Sequence, residues 1–228
     1  VGGRASRSAT HATFSDYDGD GNSDALIALQ GPPGGTGSSY VYLGGSRGIP
    51  MLPSQVLTRV AALGAVPLPY AGGDLNRDGR ADAVMGDPNR ERSRGAVLLY
   101  QGTTTGVSTS EWNIIGGVDG ANAGFGARIG AGDYNGDGYG DLAAGAFFVD
   151  NGTGRTHVLF GTASGLSETP GISLIGPDGR DRYYGSAVAH GRDVNGDGFS
   201  DLLVGATGGS VAAGRFFVYH GSPTGVRA

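Results

Sequence analysis

The chain has 228 residues, of which 47 are Gly, about three times the usual share, yet 38% are hydrophobic, too many for a disordered linker. It contains no Cys, which excludes disulfides and thiolate metal sites, and no apolar run approaches the length of a membrane helix. The formal charge is −5, all 16 basic residues are Arg, and no recognisable nucleic-acid fold appears, so neither nucleic acid nor membrane insertion is expected.

The predicted elements recur in chain order. Unit one opens with HATFS, passes through DYDGDGNSD (residues 16–24), and continues with two apolar runs, ALIAL (25–29) and YVYLG (40–44). Unit two repeats the loop as DLNRDGRAD (74–82), followed by AVMG, AVLLYQG (96–102) and WNIIG (112–116). Unit three reads FGARIGAG (125–132), DYNGDGYGD (133–141), LAAGAFF, THVLFG (156–161) and ISLIG (172–176). Unit four reads YGSAVAHG (184–191), DVNGDGFSD (193–201), LLVGA (202–206) and RFFVYHG (215–221). A G-x-x-x-G turn starts at Gly44, Gly102, Gly161 and Gly221, and both turns and loops are spaced by 58, 59 and 60 residues.

The runs are short, β-branched or aromatic and bounded by Gly, which predicts strands. Each unit holds about four of them, ordered A, loop, B, C, D and joined by short connections, so each is an antiparallel meander. One such sheet cannot cover both of its faces, whereas sheets set radially about an axis can. The expectation is an all-β single domain, a β-propeller with units at about 9–62, 63–120, 121–180 and 181–228, the last incomplete. A β-helix is the rival repeat, but its coils are much shorter.

The loops carry the chemistry. Positions 1, 3, 5 and 9 offer side-chain oxygens: Asp16, Asp18, Asp20 and Asp24; Asp74, Asn76, Asp78 and Asp82; Asp133, Asn135, Asp137 and Asp141; Asp193, Asn195, Asp197 and Asp201. The backbone carbonyl of position 7 (Asn22, Arg80, Tyr139, Phe199) completes the expected set, with Gly at position 6 permitting the reversal. Hard oxygen donors with no His or Cys select calcium or magnesium, and a ligand count of five or more suits calcium. An EF-hand loop needs an acid at position 12, where this chain has Ile27, Met85, Ala144 and Val204, so the site is strand–loop–strand. Up to four Ca2+ would carry the net charge from −5 to +3. With no neighbouring base, the metal is expected to be structural.

Residues 125–146 and 184–206 resemble the FG-GAP repeat of integrin α-subunit propellers and their bacterial relatives, with Tyr184 in place of Phe. Unit two has no FG pair at that offset, and unit one begins too near its loop to show one. The resemblance implies calcium bound between strands A and B, and an extracellular or cell-surface setting.

Other motifs read as architecture. Gly44-Gly45-Ser46-Arg47-Gly48 fits G-x-S-x-G, but the same slot in the other units is a plain turn. His11, His157, His190 and His220 fall at different repeat phases, and Trp112 takes a strand slot filled elsewhere by Ile172. On the rim opposite the loops, the B–C and D–A connections carry Arg90, Arg92, Arg94, Arg155, Arg180 and Arg182 beside Tyr183 and Tyr184. Forked Arg donors suit carboxylate or sulfate, so a protein or anionic-glycan ligand is expected there. Unit four has no room for a strand D before Ala228. A four-bladed ring, half of an eight-bladed ring made by two chains and an excerpt of a larger propeller all remain open, with pairing of chains favoured. The reading is a non-enzymatic adhesion or ligand-binding module. The alternatives are an accessory or catalytic domain of a secreted polysaccharide- or lipid-acting enzyme, and a structural spacer.

Overall fold

The structure, a computed structural model, describes residues 8–30, 37–58, 67–208 and 213–227. Sheet 1 contains β1 (Ser8–Ser15), β2 (Asp24–Gln30), β3 (Ser38–Tyr42) and β4 (Gln55–Thr58). In sheet 2, β5 (Leu68–Gly73), β6 (Asp82–Asp87) and β7 (Ala96–Tyr100) are followed by a two-rung ribbon, β8 (Gly102–Thr103) with β9 (Gly106–Val107), before β10 (Asn113–Gly116) closes the sheet. Sheet 3 repeats the plan with β11 (Arg128–Gly132), β12 (Asp141–Ala146), β13 (Arg155–Leu159), the ribbon β14 (Gly161–Thr162) and β15 (Gly165–Leu166), and β16 (Ile172–Ile175). Among the described residues sheet 4 has three strands, β17 (Tyr184–Gly191), β18 (Asp201–Ala206) and β19 (Arg215–Tyr219).

All pairings within these sheets are antiparallel between neighbours, as the meander pattern requires. Strand β4, with the sequence QVLT, has no counterpart among the runs read from the sequence; its weak apolar pattern hid it. The first strands of successive sheets lie against one another, β1 on β5, β5 on β11 and β11 on β17, so the sheets fan out from a common inner edge.

Three apolar layers fill the gaps. Tyr17, Leu26, Val41, Ala83, Met85 and Leu98 lie between sheets 1 and 2. Val84, Val97, Leu99, Phe125, Ile129, Leu142 and Ala144 lie between sheets 2 and 3. Tyr134, Ala143, Val158, Tyr184, Leu202 and Val204 lie between sheets 3 and 4. This explains why β7 (AVLLY) and β12 (DLAAGA) are buried at every position: both faces of a middle sheet are covered, so alternation gives way to continuous apolar sequence. In β19, by contrast, exposed and covered positions alternate towards Tyr219.

The B–C connections of sheets 2 and 3 are tight left-handed turns. Glu91, Arg92 and Ser93 in one, and Asp150 and Asn151 in the other, have φ between 50° and 61°. Antiparallel order puts these turns and the D–A connections at one end of the sheets and the acidic loops at the other.

Candidate metal centre

Each acidic loop is organised by its own backbone. The carboxylate of position 1 accepts from the N–H groups of positions 5 and 6: Asp16 from Asp20 and Gly21, Asp74 from Asp78 and Gly79, Asp133 from Asp137 and Gly138, Asp193 from Asp197 and Gly198. The Oδ1 of position 3 (Asp18, Asn76, Asn135, Asn195) accepts from the N–H of position 5 at 3.0–3.1 Å. Position 5 in turn accepts from the N–H of position 7, which sets Asn22, Arg80, Tyr139 and Phe199 at the reversal. Asx turns of this kind draw the side-chain oxygens towards the centre of the loop. Gly21, Gly79, Gly138 and Gly198, at position 6, have φ between 86° and 92°, which a side chain would resist.

In loop one, Asp16, Asp18 and Asp24 each bring a carboxylate oxygen to within 4.8 Å of the others. Like charges this close favour a cation between them. In loops two to four the neutral Asn76, Asn135 and Asn195 each donate an Nδ2 hydrogen to the position-5 carboxylate, at 3.2, 2.9 and 2.9 Å. The oxygen-only chemistry of the loops suits a hard cation, and in loop one the carboxylates the fold gathers are those of positions 1, 3 and 9, with Asp20 at position 5 outside the cluster.

Position 9 has a structural job that the sequence reading missed. Asp24, Asp82, Asp141 and Asp201 are fully buried. One oxygen of each accepts from the N–H of position 2 (Tyr17, Leu75, Tyr134, Val194), at 2.8–3.0 Å. The other accepts from the first Gly of the G-x-x-x-G turn (Gly44, Gly102, Gly161, Gly221), at 2.8–3.0 Å. The carboxylate thus clips the A–B loop to the C–D turn. The signal was present in the matched spacing of loops and turns.

Burial pushes the carboxyls of Asp82 and Asp141 up to about 7, against the two N–H groups that oppose the shift. Asp24 is raised for the same reason. Asp201 departs from the pattern: burial raises it, but the Val194 and Gly221 amides together with His220, at 3.3 Å, hold it below the usual carboxylate range.

Successive loops are also joined to each other. The N–H of position 8 (Ala81, Gly140, Ser200) donates to the carbonyl of position 1 in the preceding loop (Asp16, Asp74, Asp133) at 2.8–2.9 Å. The four loops form one continuous rim.

The repeat has counterparts in known proteins. The FG-GAP repeat family matches residues 184–219, and the FG-GAP-like repeat matches residues 74–144. The chain is 33% identical to integrin alpha pat-2 of Caenorhabditis briggsae over 84% of its own length, and 34% identical to integrin alpha-V of Gallus gallus over 69%. This chain is an FG-GAP, integrin α-like domain. The FG-GAP domain spans 17% and 15% of those two integrin chains. In fold it is similar to the crystal structure of rhamnogalacturonan lyase YesW, with a TM-score of 0.56 and 16% identity, covering 92% of this chain and 42% of the other.

On the opposite rim of the FG-GAP domain the eight expected residues divide. Tyr184 is fully buried, its hydroxyl 2.7 Å from that of Tyr219, so it belongs to the core between sheets 3 and 4 and not to an accessible face. Arg155 is spent on Asp119 and Asp150 at 2.7 and 2.8 Å, and Arg94 donates to the carbonyl of Gly117. Arg90, Arg92, Arg180, Arg182 and Tyr183 remain at least partly exposed on that rim. The sequence reading missed the aromatic pair beside them: Phe147 and Phe148 lie 4.3 Å apart, Phe148 is 53% exposed, and Tyr183 meets it edge-on.

Asp119 also lies 2.6 Å from Nε2 of His157, whose Nδ1 is 2.8 Å from the Ser173 hydroxyl; both Asp119 and His157 are buried. This assigns His157 to a polar clamp between sheets 2 and 3, while the side chain of His190 lies outside the described atoms. Burial pushes Asp119 up, but His157 and Arg155 outweigh it and hold the carboxyl below its usual value. A depressed folded pKa contributes stability that is complete above the unfolded value of about 3.9 and is lost as pH falls through the folded one. Acid unfolding of the wild type should therefore steepen below about pH 4, and Asp119→Asn should flatten that limb. Identical acid limits for the two proteins would show that the clamp carries no linkage.

Proposed function

We propose that the domain is a calcium-stabilised, non-enzymatic ligand-binding module of the adhesion type, working outside the cell or on its surface. The observation that carries this reading is the fourfold recurrence of one oxygen-only donor set on a single rim, which leaves the opposite rim for a partner. Calcium bound at positions 1, 3, 5 and 9 would neutralise clustered carboxylates and hold each A–B loop; weak sites of this kind suit extracellular calcium. The relatives support an adhesion-type module, and the low identity to the lyase supports the fold alone.

The ligand expected on the opposite rim is an acidic protein segment or an anionic glycan, met by Arg90, Arg92, Arg180 and Arg182 beside Phe148 and Tyr183. Arg provides forked donors for carboxylate or sulfate, and exposed rings provide a stacking surface.

Two measurements test the reading. For sites with a Kd of about 0.1 mM, 10 mM calcium should stabilise the domain by about 2.7 kcal/mol per site over EDTA; an unchanged melting temperature would count against calcium. Polygalacturonate and a sulfated glycan should each be retained by the wild type and lost in the double variant Arg180→Ala, Arg182→Ala. Equal retention would reject the rim, and release of unsaturated product from polygalacturonate would reject the non-enzymatic assignment.

A further inference from the structure

The C–D connection of unit one follows the same path as its counterparts but differs from them in chemistry. It leaves sheet 1 at Gly44, whose N–H donates to Asp24 at 2.8 Å, and rejoins it at Ser54, whose N–H donates to the carbonyl of Val41 at 2.8 Å. Trp112 and Gly171 make the same closing bond in units two and three, to Leu99 and Val158 at 2.7 and 2.9 Å. Residues 44–54 therefore stand at the end of the sheet that carries the acidic loops. On this connection Ile49, Met51 and Leu52 are 45%, 98% and 78% exposed.

The exposure of Ile49 has a simple origin. Its counterparts Val107 and Leu166 are buried, because the ribbon of each later unit packs on the unit before it. Gln55 of sheet 1 bonds both the carbonyl and the N–H of Val107, and a Cβ on Gly165 would overlap the Trp112 ring. Unit one has no earlier unit among the described residues. Met51 and Leu52 are different. In repeat register they stand where units two and three have Thr109 and Ser110, and Glu168 and Thr169. Those four are exposed even with a neighbouring unit in place. The apolar character of Met51 and Leu52 thus serves neither the core nor the packing of one unit on another.

A single exposed Leu needs no explanation, but an adjoining Met and Leu at positions that are polar in the other units do. Pro50 and Pro53 flank the pair and restrict the backbone that holds it outward. Across residues 44–58 the one charged side chain is Arg47.

We propose that this tip is a contact for a phospholipid surface: Met51, Leu52 and Ile49 enter the boundary between headgroups and acyl chains, and Arg47 meets a headgroup phosphate. Met51 is almost free of contact with its own chain, so the feature is a projection and not a groove. A fluid bilayer receives a projection of any outline, whereas a protein would need a matching cavity. The expectation against membrane insertion concerns spanning runs, and no helix among the described residues is long and apolar enough to span; a tip that reaches about 5–10 Å into the interface needs none. Asp16, Asp18, Asp20 and Asp24 lie at the same end and repel anionic lipid when no cation is bound. Phosphatidylcholine, with no net charge, is therefore the surface open to the tip whether or not the loops take calcium.

Full burial of each apolar side chain multiplies partition by roughly ten- to a hundredfold, and even one acyl chain binds only marginally, so the contact is weak and reversible. Phosphatidylcholine vesicles at millimolar lipid are the probe. The chain has no Cys, so Met51→Cys carries an environment-sensitive fluorophore at one place; its emission should brighten and shift to the blue on vesicles. The same label on Thr109→Cys, the equivalent position in unit two, should not respond. The double variant Met51→Thr, Leu52→Ser gives unit one the residues of unit two. It should lose about a hundredfold or more in vesicle co-sedimentation, with an unchanged melting temperature because both sites are on the surface. Failure of the wild type to pellet, equal pelleting of wild type and variant, or equal responses at 51 and 109 would overturn the lipid contact. So would a blue shift that grows with protein concentration without vesicles, together with a doubled mass by light scattering, since the tip would then belong to a second copy. Running each arm in calcium and in EDTA keeps the two readings apart: a calcium-induced rise in melting temperature with no vesicle binding in either buffer would leave the acidic loops as metal sites and reject the tip.

Discussion

In EDTA, Asp141→Ala is expected to lower the unfolding free energy by about 2–6 kcal/mol, because two buried N–H groups lose their acceptor at about 1–3 kcal/mol each. The amides of Tyr134 and Gly161 reach the two oxygens of Asp141 at 2.8 Å, so both lose their acceptor when the carboxylate is removed. Asp137→Ala, at position 5 of the same loop, removes an exposed carboxylate that accepts from Tyr139 and Asn135, and in EDTA it should cost under about 1 kcal/mol. On the proposed calcium reading the order changes in calcium: both variants lose a ligand, and the cost of Asp137→Ala should rise towards that of losing one metal site. Urea denaturation of both variants, with and without calcium, separates the clip from the ligand. Equal costs in EDTA would mean that position 9 holds the fold only through metal.

That dual role marks the limit of what the chain revealed by inspection. The nine-residue loop is local, so its Asx side chains, glycines and strand flanks were legible without coordinates. The clip joins Asp141 to Gly161, twenty residues on, and is visible only once loop and turn are known to meet at one end of the sheet. Contacts between units were harder still. Tyr184 reads as a rim aromatic beside Tyr183, but the parallel bridge to Gly154 turns it into the core. Arg155 reads as a cation on offer until Asp119, from the connection before it, is found against its guanidinium. Strand β4 escaped because a four-residue edge strand carries too little pattern to count. In each case the missing information is which repeat position faces which across a gap between sheets.

A second large effect follows from those gaps. Gly145→Val should destabilise the domain by about 3 kcal/mol, at the upper end of the usual cost of overpacking, because the atom in the way is backbone and cannot change rotamer. Gly145 is buried in β12, and the carbonyl oxygen of Gly185 occupies the space its Cβ would need. To admit a side chain, sheet 4 must lift from sheet 3, which opens the layer around Tyr184, Val158 and Leu202. Gly116→Ala, with no atom within 4 Å of its Cβ, is the matched control and should be near neutral. Gly205→Val, at the same repeat position in sheet 4, meets only Ala187 of its own sheet and should cost less than Gly145→Val. A calcium titration of the Gly145→Val protein adds the decisive comparison: since the defect lies in packing between sheets and the loops keep their own hydrogen bonds, calcium should stabilise variant and wild type by similar increments. Equal melting temperatures for Gly145→Val and Gly116→Ala would show that the sheets slide freely past this contact and that glycine there does not set their spacing.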